Sequence, residues 1–104
     1  MENLNIIRQF SAFAEKSKNE LKAPAMTLYV ALLHLANQSS FEGGVCPVVR
    51  VDNARLMKYA AIGSKHTLRE QRRILIRLGY IKYQKGRRVE GKNIVGQYTL
   101  IKLY

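Results

Sequence analysis

Apolar residues recur at spacings of three and four near the start of the chain: Leu4, Ile7, Phe10 and Ala14, with Ile6 and Phe13 beside them. That period belongs to a helix, and it predicts an amphipathic helix over residues 3–16 with those side chains as its buried stripe. Lys16-Ser17-Lys18-Asn19 breaks the pattern and reads as a connection. A second helix is expected to begin near Pro24, which suits a first turn because its missing N–H would be an orphan there. It runs through Met26, Leu28, Tyr29, Leu32, Leu33, Leu35 and Ala36, and stops in the polar cluster Asn37-Gln38-Ser39-Ser40. Apolar residues cover most of its circumference, so it belongs in the middle of the domain or at a subunit contact.

Gly43-Gly44 reads as a turn, and Val45, Val48, Val49 and Val51 form a short β-rich run that Pro47 restricts to a sheet edge. Asp52 is then a good N-cap, able to accept from the N–H of Ala54 or Arg55. The helix it opens is expected to bury Ala54, Leu56, Met57 and Ala60. It should close around Ala61-Ile62-Gly63, with Gly63 in the left-handed conformation. Ser64 caps the next helix, which buries Thr67, Leu68, Gln71, Ile74, Leu75 and Leu78 and ends at Gly79. Tyr80 follows that glycine and is placed to pack on Leu75. Helix, tight turn and helix in this order are the helix-turn-helix pattern.

The remaining segments, 80–84 and 97–103, alternate with the period of two that marks strands. Residues 85–96 between them, with Gly86, Gly91 and Gly96 and a cluster of cations, read as a flexible loop.

Charge changes the picture more than composition does. The 104 residues are enough for one domain with its own core, and the 47% hydrophobic content fits a packed globule. Cys46 is the one cysteine, so no intramolecular disulfide can form, and a reducing compartment is expected. No apolar run approaches the length of a membrane span, and Met1-Glu2-Asn3-Leu4 lacks the basic start of a signal peptide. A cytoplasmic protein, or one of the nucleoid, is the expectation, with no membrane partner. The net charge of +11 is unevenly placed: residues 1–49 sum to zero, whereas residues 50–104 hold 14 basic groups against Asp52, Glu70 and Glu90. Self-repulsion on that scale favours a polyanionic partner over a merely solubilising surface, which would mix both signs.

A helical wheel for residues 64–78 gives that partner a surface. Ser64, Thr67, Leu68, Gln71, Ile74, Leu75 and Leu78 fall on one side, His66, Arg69, Glu70, Arg73 and Arg77 on the other, with Lys65 and Arg72 on the flank. An α-helix fits the major groove of B-DNA with its N-terminal side chains at the base edges, and arginine's fork suits both guanine and phosphate. Lys65, His66, Arg69 and Arg73 are the candidates for groove contact, and Arg72 and Arg77 for phosphate contact. Lys85, Arg87, Arg88 and Lys92, on the segment that follows, are assigned to phosphate or the minor groove.

Other chemistry is poorly represented. His34, His66 and Cys46 do not compose a zinc set, and no phosphate loop, nucleotide fingerprint or catalytic pair is present, so neither a cofactor nor an enzyme is expected. His34 reads as a hydrogen-bonded, half-buried residue and Cys46 as a small core residue. Tyr80, Tyr83, Tyr98 and Tyr104 could stack on unpaired bases, but hairpin core is the plainer reading for most of them.

The segments Thr27–Asn37, Leu56-Met57 with Gly63–Leu68, Leu78–Tyr83 and Gly96–Leu100 resemble the N-terminal winged-helix domain of bacterial and phage replication-initiation proteins. DnaD-type primosome proteins and phage replisome organisers are among these. The resemblance spans roughly residues 24–103 and rests mainly on structural positions. It implies an α+β winged helix-turn-helix, mainly helical with a small antiparallel β-hairpin wing. On that reading residues 1–104 are a single domain: an N-terminal helix and connection (1–20), the helix-turn-helix (52–79) and the wing (80–104). It also implies double-stranded DNA as partner in replication initiation or mobile-element maintenance, other replication proteins as partners, and self-association in some relatives. The family's usual architecture carries a further C-terminal region, so the chain is expected to be either a piece of such a protein or a stand-alone relative. A transcriptional regulator would use the same docking device. A module of another class would use the apolar second helix with Phe10, Phe13 and Phe41 as an oligomer or partner surface.

Overall fold

The computed structural model describes residues 3–38 and 46–104. Asn5, in extended backbone, accepts from the Arg8 N–H through Oδ1 at 3.1 Å and opens α1, Ile6–Ser17. An acceptor for an orphan first-turn donor thus starts the helix later than its periodicity suggests, and Leu4 is buried outside it. The inward face also differs from the expected stripe. Gln9, Phe13 and Ser17 are buried, whereas Ile7 is 75% exposed and Phe10 and Ala14 face solvent. Gln9 holds a core position because its amide is fully used. Nε2 donates to the Tyr29 hydroxyl at 2.7 Å and the Ile101 carbonyl at 2.8 Å, and Oε1 accepts from the Leu103 N–H at 3.1 Å.

α2, Ala23–Gln38, is the central element, as its apolar circumference predicts. Its buried Leu28, Tyr29, Leu32 and Leu33 help it pack against α1, the two later helices and two strands. Phe13 stacks on Tyr29 at 4.1 Å between centroids, and Tyr80 meets both rings edge-on. The expected turn at Gly43-Gly44, and Phe41, lie outside the described residues.

β1, Val48–Arg50, leads to Asp52, whose carboxylate accepts from the Arg55 N–H at 2.7 Å and caps α3, Asn53–Ala60. Leu56 and Ala60 are buried; Ala54, expected inside, is exposed because the first turn of α3 faces solvent. The left-handed closing residue is Ala61 (φ 55°), not Gly63. Ile62 explains the shift: its N–H donates to the Met57 carbonyl at 2.9 Å while its side chain enters the core, which fixes the reversal at Ala61, two residues before Gly63.

Ser64 accepts from the Thr67 N–H at 3.1 Å and caps α4, Lys65–Arg77. Gly79 (φ 83°) closes α4, with its N–H on the Ile76 carbonyl and the Tyr80 N–H on Leu75 at 2.9 Å, the expected Schellman ending.

Three strands form the main antiparallel sheet in the order β1-β5-β2, with β2 at Ile81–Gln84 and β5 at Gln97–Leu100. Residues 85–96 are not a loop. β3, Arg87–Val89, and β4, Lys92–Ile94, pair into a separate ribbon, turned at Glu90-Gly91 with both φ positive (50° and 78°). Two consecutive positive φ values make a type I′ turn, whose twist suits a two-residue hairpin. Gly86 and Gly96 form the ribbon's root. A Cβ on Gly86 would lie 2.7 Å from the Ile94 carbonyl oxygen, and one on Gly96 would lie 2.9 Å from the Tyr83 ring. The whole is an α+β fold of four helices, a three-stranded antiparallel sheet and a two-stranded ribbon among the described residues.

Candidate nucleic-acid interface

The buried Leu68 and Leu75 and the half-buried Thr67, Gln71, Ile74 and Leu78 hold α4 by one face. The opposite arc carries His66, Arg69, Glu70, Arg73 and Arg77, as the wheel separates them, with Lys65 at its flank, and all six are exposed. Lys65, Arg69, Arg73 and Arg77 stand four residues apart, so they form a stripe about 18 Å long on one side of the helix. None of these four has a hydrogen-bond or ion-pair partner among the described residues. Like charges at this spacing destabilise a helix by about 0.2–0.5 kcal/mol per pair. The first turn of α4 carries no acidic residue, so Lys65 also faces the positive end of the helix dipole with no anion beside it in that turn. His66 meets Glu70 one turn on, Nε2 to Oε1 at 3.1 Å, in a pair open to solvent. Ile76, 42% exposed on the same arc, is an apolar surface position that sequence reasoning did not single out.

Arg72 stands apart from the other cations. Nη1 donates to the Tyr98 hydroxyl at 2.9 Å and to Asn53 Oδ1 at 3.4 Å, and the guanidinium lies 4.2 Å over the Tyr83 ring. A fork used this way braces α4 against the sheet and the start of α3; the role assigned from sequence, a phosphate contact, leaves these internal contacts out. Burial raises the Tyr98 hydroxyl above the ordinary tyrosine value, and the Arg72 bond works against that rise.

The ribbon is exposed along both strands. Register pairs Arg87 with Ile94, Arg88 with Asn93 and Val89 with Lys92, so Arg87 and Lys92 share a face with two aliphatic residues and Arg88 occupies the other. Lys85, Arg87, Arg88 and Lys92 have no internal partner among the described residues. Arg50 on β1, which sequence reasoning passed over, lines a pocket with Lys85 and Arg87. The missed signal was pairing register, which a single strand's sequence does not carry.

The remaining candidates separate clearly. His34 is exposed rather than half-buried and shares a 3.2 Å hydrogen bond with Gln38. Cys46 is half-buried. Tyr80 and Tyr98 are core and Tyr83 is half-buried; Tyr104 is exposed, its hydroxyl accepting from the Asn5 N–H at 2.8 Å. Phe13 is core, not surface, while Phe10 joins Ile6, Ile7, Val30 and Leu33 around an apolar groove of about 330 Å³ between α1 and α2. Among the described residues no group of three or more His, Cys, Asp or Glu is placed to hold a metal ion, and no helix is long and apolar enough to cross a membrane. No family model, curated protein or solved structure matches the chain.

Proposed function

We propose that the chain is a winged helix-turn-helix domain that binds duplex DNA through α4, with the ribbon as its wing. The observation that carries this reading is the stripe Lys65, Arg69, Arg73 and Arg77, cations without partners among the described residues along one exposed helix face. Such a row raises the helix's energy on its own and lowers it beside a polyanion. The order of elements supports the reading: a capped helix, a tight turn, a second capped helix and then strands around a projecting ribbon. The resemblance to replication-initiation proteins assigns the role to replication initiation or mobile-element maintenance. A transcriptional regulator differs only in where it binds, and mapping bound sites to an origin or to promoters separates the two.

Binding of a labelled duplex measured against salt tests the proposal. About 5–8 phosphate contacts give a log–log slope of about −4 to −7, and a flat titration rejects it. Arg69→Ala or Arg73→Ala is expected to weaken the preferred duplex by about 1–3 kcal/mol if that arginine reads a base.

A second reading is favoured by the α1/α2 groove: self-association through Ile7, Phe10 and Val30, all exposed and apolar. Residues 1–49 sum to zero charge, so two copies can meet there without the repulsion of their cationic halves. Light scattering over a concentration series is expected to show a dimer that Phe10→Glu abolishes; a monomer at every concentration removes this reading.

A further inference from the structure

A cationic pocket lies on the far side of the sheet from α4. Register sets Arg50 opposite Gln97 and Gln97 opposite Gln84, so these three side chains share one face of the sheet. The adjacent row, Val49, Tyr98 and Tyr83, belongs to the other face; it is buried or half-buried, and α4 reaches it through Arg72. Lys85 follows β2 directly and Arg87 opens the ribbon, and both join Arg50, Gln84 and Gln97 around a concavity of about 210 Å³ whose apolar part is Ile94 and Val95. Among the described residues no carboxylate lines it, and Arg50, Lys85 and Arg87 have no ion-pair or hydrogen-bond partner.

Three cations focused on one concavity raise the local potential, and a bound anion relieves it. The lining residues offer two guanidinium forks, an ammonium and two side-chain amides, from a strand, a turn and a ribbon, beside the apolar Ile94 and Val95. Donors from several directions fit a tetrahedral oxyanion, and arginine forks match phosphate oxygens in pairs. We propose that this pocket binds a phosphate group, as a contact separate from the α4 surface. The identity of its source as nucleic acid rests on the function proposed above; the pocket's affinity for phosphate does not. A backbone phosphodiester and the terminal phosphate of a DNA end share this chemistry.

The test begins with inorganic phosphate, so that it stands apart from duplex binding. In an NMR titration at constant ionic strength, the side-chain amide signals of Gln84 and Gln97 are expected to shift saturably in phosphate and not in chloride. The double variant Arg50→Gln, Arg87→Gln is expected to lose those shifts while melting like the parent, since both arginines are exposed. Equal shifts in phosphate and chloride, or shifts unchanged in the variant, overturn the pocket. Two duplexes, with and without 5′-phosphates, then separate the sources. A preference for the phosphorylated duplex that the variant loses assigns a terminal phosphate. Equal affinity for both, with the variant's salt slope reduced by about 2, assigns the backbone. A variant that matches the parent on both duplexes at every salt concentration overturns nucleic acid as the source. Failure of the α4 reading shows instead in Arg69→Ala and Arg73→Ala, which leave this pocket intact.

Discussion

Gln9 shows how a single side chain sets the position of a helix. It is fully buried, and its amide ties α1 to the Tyr29 hydroxyl and to the backbone of the C-terminal segment at Ile101 and Leu103. Gln9→Leu keeps the volume and removes every one of those bonds, leaving a buried hydroxyl and a part-buried carbonyl and N–H without their partner. A loss of about 2–4 kcal/mol is expected in chemical denaturation, because each orphaned group costs about 1–3 kcal/mol. A variant as stable as the parent would show that water replaces the amide. Hydropathy could not find this residue. A glutamine on an apolar face reads as a break in the stripe, and Ile7 and Phe10 filled the pattern better while facing solvent.

At the scale of elements, α3, the turn after it and α4 were legible because their boundaries are chemical. Asp52 and Ser64 each accept a hydrogen bond from the residue three positions on, and Gly79 takes the left-handed turn that lets Tyr80 close α4. The closing of α3 was misread, since Gly63 is the natural left-handed residue and Ala61 takes that conformation instead. Left-handed backbone costs an alanine about 1–2 kcal/mol, part of which glycine returns by loosening the unfolded chain. Ala61→Gly is therefore expected to stabilise the protein by about 0.5–1 kcal/mol in thermal melts; a destabilised variant would refute the strain. The ribbon was missed for a related reason. Glu90-Gly91 is a weaker turn signal than Asn-Gly, and strands of three residues are too short for alternation to register. The stripe on α4 followed from the helix bounds alone. Arg72's internal role did not, because its partners Tyr98, Tyr83 and Asn53 come from three other segments.

In the whole molecule an aromatic centre lies where the neutral half of the chain meets the cationic half. Tyr29 and Tyr80 meet there with Phe13, and burial pushes both hydroxyls up to about 12, with Glu20 adding to the rise at Tyr80. The folded state thus holds these protons more tightly than the unfolded chain, whose tyrosines titrate near 10. Their contribution to stability is full below about pH 10 and is lost as pH rises through about 12. Melting temperature is expected to fall across that window together with the rise of phenolate absorbance. A melting temperature that stays level there would place these rings in water.

The cationic half raises the question of whether charge alone or its arrangement would govern the proposed duplex binding, and charge-matched variants decide it. Arg69→Gln with Arg73→Gln removes two charges from the α4 stripe; Lys18→Gln with Lys22→Gln removes two from exposed positions in the neutral half. The salt dependence of duplex binding is the measurement. The first pair is expected to reduce the slope by about 2 and the second to leave it at the parent value. Equal slopes for the two pairs would contradict an α4 interface and leave only net charge.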